Sequence, residues 1–456
     1  MFKCENCGGE LIYSIKDKKL KCQACKSLYE IADMLDSEEE NAETIDMNVF
    51  TCPSCGGEVY STNSTAASFC SFCGSHVTLT QKMVQWRKPE YVIPFTVTKD
   101  RAKELVAKKL SGKPFIPSEL KNPDNLTVCR GIYIPYWVYE TRSTTDMRMD
   151  CESISGNTHS VYRITGTANE VNIGLNHDAS DSFADDIGNN LNPFELKDAK
   201  KFTSAYLCGF FADIADRESD TYEKEVKQSA NQLLYADVKR YIRNQYPMLD
   251  TIGTPSGANT KVTNASLCLF PIWLVSYKKE DSVAYLAVNG TTEKVVTDTP
   301  VDKKKFYITA SILAVLLSIL LYKINFSTAH CLLYPMGIFT LINMSGLMMG
   351  TTQMLEKDNT TEKVVDVGSV VLNGKEKKVV KGTKKSNSFT LILLLVSILG
   401  FFLGYKDIPS DAFYYGYAAL EIGLNLIGLL DGIKHLNLIT ARKLPQFDYK
   451  GKDVVS

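Results

Sequence analysis

Four cysteines open the chain as two Cys-x-x-Cys pairs, Cys4/Cys7 and Cys22/Cys25, and all four return 48 residues later as Cys52/Cys55 and Cys70/Cys73. Their neighbours return with them: Cys7-Gly8-Gly9-Glu10 matches Cys55-Gly56-Gly57-Glu58. One small unit has therefore been duplicated. A Cys-x-x-Cys pair forms a tight knuckle that offers two thiolates to one cation, and two knuckles from facing hairpins complete a four-sulfur tetrahedron, for which zinc is the expected ion. Glycine after the second cysteine lets the backbone turn beneath the metal, as at Gly8 and Gly74, whereas Lys26 breaks that pattern in the first unit. A redox pair, a disulfide framework and an iron–sulfur cluster compete with zinc. Thioredoxin-type pairs belong in a βαβ unit, disulfides do not suit a cytosolic segment, and the repeated spacing favours two zinc ribbons.

These ribbons cover residues 1–35 and 49–80, and neither can build a sufficient apolar core, so the metal is expected to supply folding energy. Four sulfurs leave no coordination site for water, which argues against a zinc hydrolase. His76 reads as a surface residue. Residues 36–48, with Asp36-Ser37-Glu38-Glu39-Glu40, read as an acidic linker that would repel DNA. The formal charge of the whole chain is -1, so no general basic excess points to nucleic acid. The start, MFKCENCGGELIY, has no apolar stretch of the kind a cleaved secretory signal needs.

Long uncharged apolar runs gather after residue 305. Their spacing predicts four transmembrane helices over about 306–323, 331–350, 388–404 and 411–431, the third short enough to be re-entrant or tilted. Lysine placement, with Lys303-Lys304-Lys305 before the first run and a basic hairpin loop at 351–387, predicts cytosolic N- and C-termini, a cytosolic tail at 433–456 and a multi-pass protein of the cell membrane. Gly346/Gly350, Gly400/Gly404 and Gly428/Gly432 allow close helix packing, within the bundle or between copies as a homo-oligomer. Glu421 and Asn425 share one helix face and form a candidate intramembrane polar site, either a hydrogen-bonded clasp or part of a transport path.

Residues 86–300 alternate β-like runs with two helical ones, 99–110 and 217–244. They read as a β-rich α+β cytosolic domain. An apolar run broken by proline and followed by aromatics recurs as Tyr91-Val92-Ile93-Pro94-Phe95, Ile132-Tyr133-Ile134-Pro135-Tyr136-Trp137 and Leu269-Phe270-Pro271-Ile272-Trp273-Leu274. Such runs suit sheet edges or bulges, where the missing N–H does no harm. Asn289-Gly290 and Asn373-Gly374 signal hairpins. The histidines form no constellation, and no phosphate loop is present, so no catalytic residue is assigned and the chain is not expected to be an enzyme. The fold class expected is multidomain: two N-terminal zinc ribbons, the α+β domain and a C-terminal four-helix transmembrane region.

The knuckles CPSCGG and CSFCGS, with IPFTVTKDRAKELVAKKLSGKPFIP, GIYIPYWVYE, YLCGFFADIADR, LFPIWLVSYKK and VNGTTEKVVTDTPVDKKK, resemble bacterial membrane-anchored proteins bearing a TFIIB-type zinc ribbon. The resemblance covers most of residues 1–305, and the departure lies at Asn289-Gly290-Thr291-Thr292-Glu293-Lys294. It implies an envelope-stress setting in which a flotillin-like SPFH protein and a phage-shock protein A homologue are partners. The helicase label sometimes given to such ribbons is rejected, because no P-loop occurs. The leading expectation is a membrane-anchored adaptor or scaffold holding two structural Zn2+ ions on Cys4, Cys7, Cys22, Cys25 and Cys52, Cys55, Cys70, Cys73, with proteins and the lipid membrane as partners and no nucleic acid. The alternatives are a transporter or channel component using Glu421 and a zinc-ribbon nucleic-acid-binding regulator.

Overall fold

The computed structural model describes residues 2–34, 42–61, 70–75, 80–123, 126, 129–155, 158–180, 183–252, 258–279, 282–323, 333, 337–343, 345, 392–400, 402–403, 405, 411–434 and 442–443. The basic loop 351–387, the Asn373-Gly374 hairpin, His76 and nearly all of the tail lie outside them.

The first cysteine unit is a three-stranded antiparallel sheet of β1 (Leu11–Ser14), β2 (Lys19–Cys22) and β3 (Leu28–Tyr29). The second is not a separate sheet. Its strands β4 (Thr44–Thr51), β5 (Glu58–Ser61) and β6 (Thr80–Arg87) belong to a 13-stranded sheet built mainly from later residues. The last residues of the stretch expected as linker, from Thr44 on, thus belong to β4, paired along its length with β6 from Thr44↔Arg87 to Thr51↔Thr80.

The large sheet continues through β7 (Tyr91–Val92), α1 (Lys99–Ser111), β8 (Arg130–Ser155), β9 (Thr158–Asp178), α2 (Asp185–Leu191), β10 (Lys200–Lys201), β11 (Phe211–Ala212), α3 (Glu223–Gln245), β12 (Asp250–Ile252), β13 (Asn259–Lys279), β14 (Ser282–Asn289) and β15 (Val295–Thr297). Helix α1 starts where Thr98 accepts from Arg101 N, and it buries Ala102, Val106 and Leu110 at four-residue steps. Helix α3 buries Val226, Ala230, Leu234, Val238 and Ile242 at the same period. It begins at Glu223, later than residue 217, because Ser219–Tyr222 form a 3-10 turn first. Both helices cover one face of the sheet, α1 against Val275 and Leu286 and α3 against Trp137 and Tyr139. The opposite face carries Ile134 and Phe270 against α2 and the second cysteine unit.

Strands β8 and β13 pair antiparallel at the centre, with Ile134 opposite Phe270. Around that pair the chain repeats itself as two β-α-β-β units, β7–α1–β8–β9 and β11–α3–β13–β14, related by an approximate two-fold axis normal to the sheet. Each unit's short strand runs parallel to the other unit's long strand: β7 along Cys268 and Leu269, β11 along Ile132 and Tyr133. The hydrogen bonds match one for one. Ile93 N donates to Leu269 O at 2.9 Å and Asp213 N to Tyr133 O at 2.8 Å, while Gly290 N donates to Pro271 O and Ala179 N to Pro135 O, both at 2.8 Å. Trp273 Nε1 donates to Val97 O at 2.8 Å and Trp137 Nε1 to Arg217 O at 2.7 Å.

The same symmetry explains two prolines in central strands, where an edge or bulge was expected. On its outer side β8 pairs with β11 up to Tyr133 and with β9 from Tyr136 onward, so Pro135 sits where the neighbour changes. Pro271 sits between the pairing of β13 with β7, which ends at Leu269, and with β14, which starts at Ile272. At neither place does a ladder bond need the absent N–H.

The Asn289-Gly290 turn forms, joining β14 to β15. Asn289 Nδ2 donates to Leu191 O and Pro193 O at 3.0 Å each, and its Oδ1 accepts from Thr291 N at 2.9 Å. Gly290 is wedged: a Cβ there would lie 2.7 Å from Phe95 Cδ1 and 2.8 Å from Pro271 O.

The C-terminal expectation is corrected. Among the described residues no helix is long and apolar enough to cross a membrane, so the four-helix transmembrane region, the integral-membrane assignment and the multi-pass cell-membrane localisation do not stand. In α4 (Lys303–Lys323) the uncharged stretch is framed by Lys303-Lys304-Lys305 and Lys323 and falls short of the roughly 20 residues a span needs. In α5 (Asp411–Lys434) Glu421 and Asp431 interrupt the apolar sequence. Only 337–343 and 345 of the second run, apart from Leu333, and 392–400, 402–403 and 405 around the third are described as helical. Beyond α5, β16 (Arg442–Lys443) pairs with Ser282 and Val283 of β14.

Gly290→Ala is expected to lower the urea midpoint by the equivalent of about 1–3 kcal/mol or more, since backbone and ring atoms cannot yield to the added methyl group. Arg101 makes a two-pronged ion pair with Glu293, Nε to Oε1 at 2.9 Å and Nη2 to Oε2 at 2.8 Å. That contact holds the Glu293 carboxyl below its usual range. Its stabilisation is present above the ordinary carboxylate pKa and is lost as pH falls through the depressed one. Because both side chains are largely exposed, Glu293→Gln should cost no more than about 1 kcal/mol at neutral pH, and denaturation at acid pH should show no difference from the parent.

Candidate metal centres and the buried Glu421

All four knuckles have one geometry. The amide after each second cysteine points back to the first, Gly8 N to Cys4 O, Lys26 N to Cys22 O, Gly56 N to Cys52 O and Gly74 N to Cys70 O, at 2.8–3.1 Å. The residue making that turn is left-handed each time, with φ of 71°, 65°, 74° and 67°. Lys26 therefore does the same backbone work as the glycines, with Nζ folded onto Gln23 O at 2.6 Å.

In both units the four Sγ atoms lie within 4.8 Å of one another. Cys4 to Cys25 and Cys7 to Cys22 are 3.4 Å apart, and Cys52 to Cys73 and Cys55 to Cys70 are 3.8 and 3.7 Å. A sulfur tetrahedron at about 2.3 Å from zinc has edges near 3.8 Å, whereas a disulfide needs about 2.05 Å. The cysteines are free, and each group fits one zinc ion. Ser27 hydrogen bonds bring the Cys25 thiol down to about 6, and the Tyr29 hydroxyl, 3.1 Å from Cys4 Sγ, lowers that thiol too. Both contacts favour the thiolate that a metal requires.

The surroundings separate the two centres. Cys7 and Cys25 are exposed, while Cys52, Cys55, Cys70 and Cys73 are all buried in the core with Phe50, Phe72, Ile132 and Leu274. The second unit is seated on the end of β13. Ser276 Oγ donates to Ser71 O, Lys278 Nζ to Ser75 Oγ at 2.8 Å, and a Cβ on Gly74 would lie 3.0 Å from Ser276 O. A zinc ion with four thiolates carries about two negative charges. Half-buried Arg130 would answer that charge: its guanidinium stacks 4.8 Å over Phe211, and its interaction with Cys70 opposes the burial that lowers it to about 10. The first unit sits elsewhere, through Tyr13 N to Cys208 O at 2.9 Å and the Tyr13 ring against Tyr206.

Tyr29, Arg130, Ser276 and Lys278 had no sequence signal, since each acquires its role from a neighbour distant in the chain, whereas Ser27 acts on Cys25 two residues away. His177, which forms no dyad, stacks on Tyr222 at 3.6 Å. Cys129, Cys151, Cys208 and Cys268 are buried packing residues, and Cys331 lies outside the described residues.

Glu421 and Asn425 are brought together, and the pair has partners that spacing did not reveal. Thr340 Oγ1 donates to Glu421 Oε1 at 2.8 Å, Asn425 Nδ2 to Thr340 Oγ1 at 2.7 Å, and Asn343 Nδ2 to Asn425 Oδ1 at 3.0 Å. These bonds tie α5 to helical residues 337–343, as a clasp would.

No family model matches the chain, and no solved structure matches it. Over 316 residues it is 27% identical to YdjG of Bacillus subtilis (strain 168), described as uncharacterized; the aligned part is 67% of this chain and 91% of that protein. That similarity brings neither an activity nor a partner.

A chelator is expected to strip the first centre well before the second, with near-ultraviolet dichroism holding until the second ion leaves. Gly74→Ala should destabilise more than Gly8→Ala. Both pay about 1–2 kcal/mol for a left-handed backbone, but a Cβ at Gly8 meets nothing within 4 Å whereas at Gly74 it meets β13. Thermal melts of the zinc-loaded variants measure the difference.

Proposed function

We propose that the protein is a zinc-braced docking scaffold that works by binding other proteins, without turnover. One observation carries this reading: four cysteine sulfurs converge at each centre, so a metal held there would brace a module and have no position left for a substrate or water. The burial of the second centre in the core of the large sheet supports a framework role, and the exposed knuckle at Cys7 makes the first unit the side offered to partners. The partners proposed are those the sequence resemblance implies, a flotillin-like SPFH protein and a phage-shock protein A homologue.

The two centres are not interchangeable in a test. Disrupting Cys52 and Cys55 would open the core, whereas Cys4→Ser with Cys7→Ser removes the first centre and leaves the sheet. The full chain and this variant, both checked for folding by dichroism, are to be offered to the purified SPFH and phage-shock protein A homologues of the same host. Binding by the parent with loss of at least about tenfold in the variant, equivalent to 1.4 kcal/mol, is the expected result. Failure of the folded parent to bind either homologue removes this choice of partners.

A further inference from the structure

We infer that the face of β8 and β9 carrying Glu140, Arg142, Val171 and Ile173 is a docking surface for the first zinc unit of a second copy of this chain, which meets it through the same knuckle that the second unit sets on β13; the pairing of β5 with β11 has no counterpart there, because β10 takes the edge of β7. This contact goes beyond the partner docking proposed above and does not depend on it.

Two duplications, one of the zinc unit and one of the β-α-β-β unit, meet at a single interface in the structure. The second zinc unit rests on the second β-α-β-β unit at Ser276 and Lys278, and Val283 and Tyr285 belong to the same buried cluster as its cysteines. The approximate two-fold axis through Ile134 and Phe270 carries Ser276 onto Glu140 and Lys278 onto Arg142. The strand pairings carry Val283, opposite Lys278, onto Val171, opposite Arg142, and Tyr285 onto Ile173. In that cluster Val283 is 0% and Tyr285 5% exposed; on the counterpart face Val171 is 50% and Ile173 76% exposed. The first unit's own docking knuckle is likewise uncovered. Its Ala24-Cys25-Lys26-Ser27 corresponds to Phe72-Cys73-Gly74-Ser75, and Ala24, Cys25 and Lys26 are exposed.

The side chains that differ between the two sets differ in a complementary way. Where Gly74 meets Ser276, the counterpart positions hold Lys26 and Glu140, opposite charges replacing two small groups. Where Lys278 donates to Ser75, the counterparts are Arg142 and Ser27, again a cation facing a hydroxyl. In its own chain the first unit is held on Cys208 through Tyr13, with this knuckle facing solvent, so a second copy is the occupant that supplies it. Two chains can exchange the contact reciprocally, giving a closed two-fold dimer with two identical interfaces.

Sedimentation velocity of the zinc-loaded full chain over a wide concentration range tests this. The parent is expected to be a dimer. Lys26→Glu and Glu140→Lys should each weaken it about tenfold or more, the double variant should recover to within about threefold of the parent, and Ile173→Asp should weaken it without rescue. Lys26 and Ile173 are exposed and Glu140 is half-buried, and filled zinc sites with unchanged dichroism verify that the variants fold. A parent that stays monomeric overturns the inference. So does a dimer indifferent to these substitutions, or one weakened by both single changes and not restored by the pair. None of these outcomes bears on binding to the SPFH or phage-shock protein A homologues.

Discussion

The pairing of β8 with β13 is the contact on which the rest of the molecule depends. It places Ile134 against Phe270, sets the two β-α-β-β units in register and fixes the stacks on either side, Phe95 on Phe210 and Tyr136 on Phe270, each with centroids 4.4 Å apart. Trp273 and Trp137 then each reach a backbone carbonyl in the loop leading to a helix, which ties each helix to the opposite long strand. Burial of this much aromatic surface is large compared with any exposed ion pair in the chain.

Duplication is useful here because the copies have diverged under different neighbours. One hairpin corner has Asn289, which satisfies its surroundings as a neutral amide; the corresponding corner has Asp178, followed by Ser180, whose hydroxyl donates to Asp213, all three buried. One long arm ends after eight paired residues of β14, while its counterpart runs on as β9 to Thr158. The two zinc units diverged in the same sense, one becoming core and the other remaining largely at the surface.

The sequence showed what is local and periodic. Both four-cysteine sets were visible from spacing alone, because a knuckle is made of consecutive residues, and α1 and α3 were visible from the three- and four-residue recurrence of their apolar positions. The repeated aromatic-proline runs were visible too, but not their meaning. The run at Ile132 and that at Leu269 are true counterparts, whereas the run at Tyr91 corresponds to Phe211–Ala215, which has no proline. The seat of the second zinc unit on β13 was illegible, since Ser276 and Lys278 are ordinary strand residues until a distant knuckle lands on them. At the C-terminus, apolar composition was mistaken for span length: in α4 the charge-free stretch is too short, and in α5 Glu421 has a specific hydrogen-bonded place.

The bond from Ser276 to Ser71 crosses 205 residues of chain. During synthesis at about 5–20 residues per second, the second zinc unit leaves the ribosome roughly 10–40 s before the strand that receives it. Through that interval the Phe72 knuckle has its cysteines but not its seat. Its nascent form must therefore rely on a metal held by those cysteines for shape and on something other than β13 to cover its apolar side, which would make metal supply during translation, rather than after it, the condition for a productive first fold.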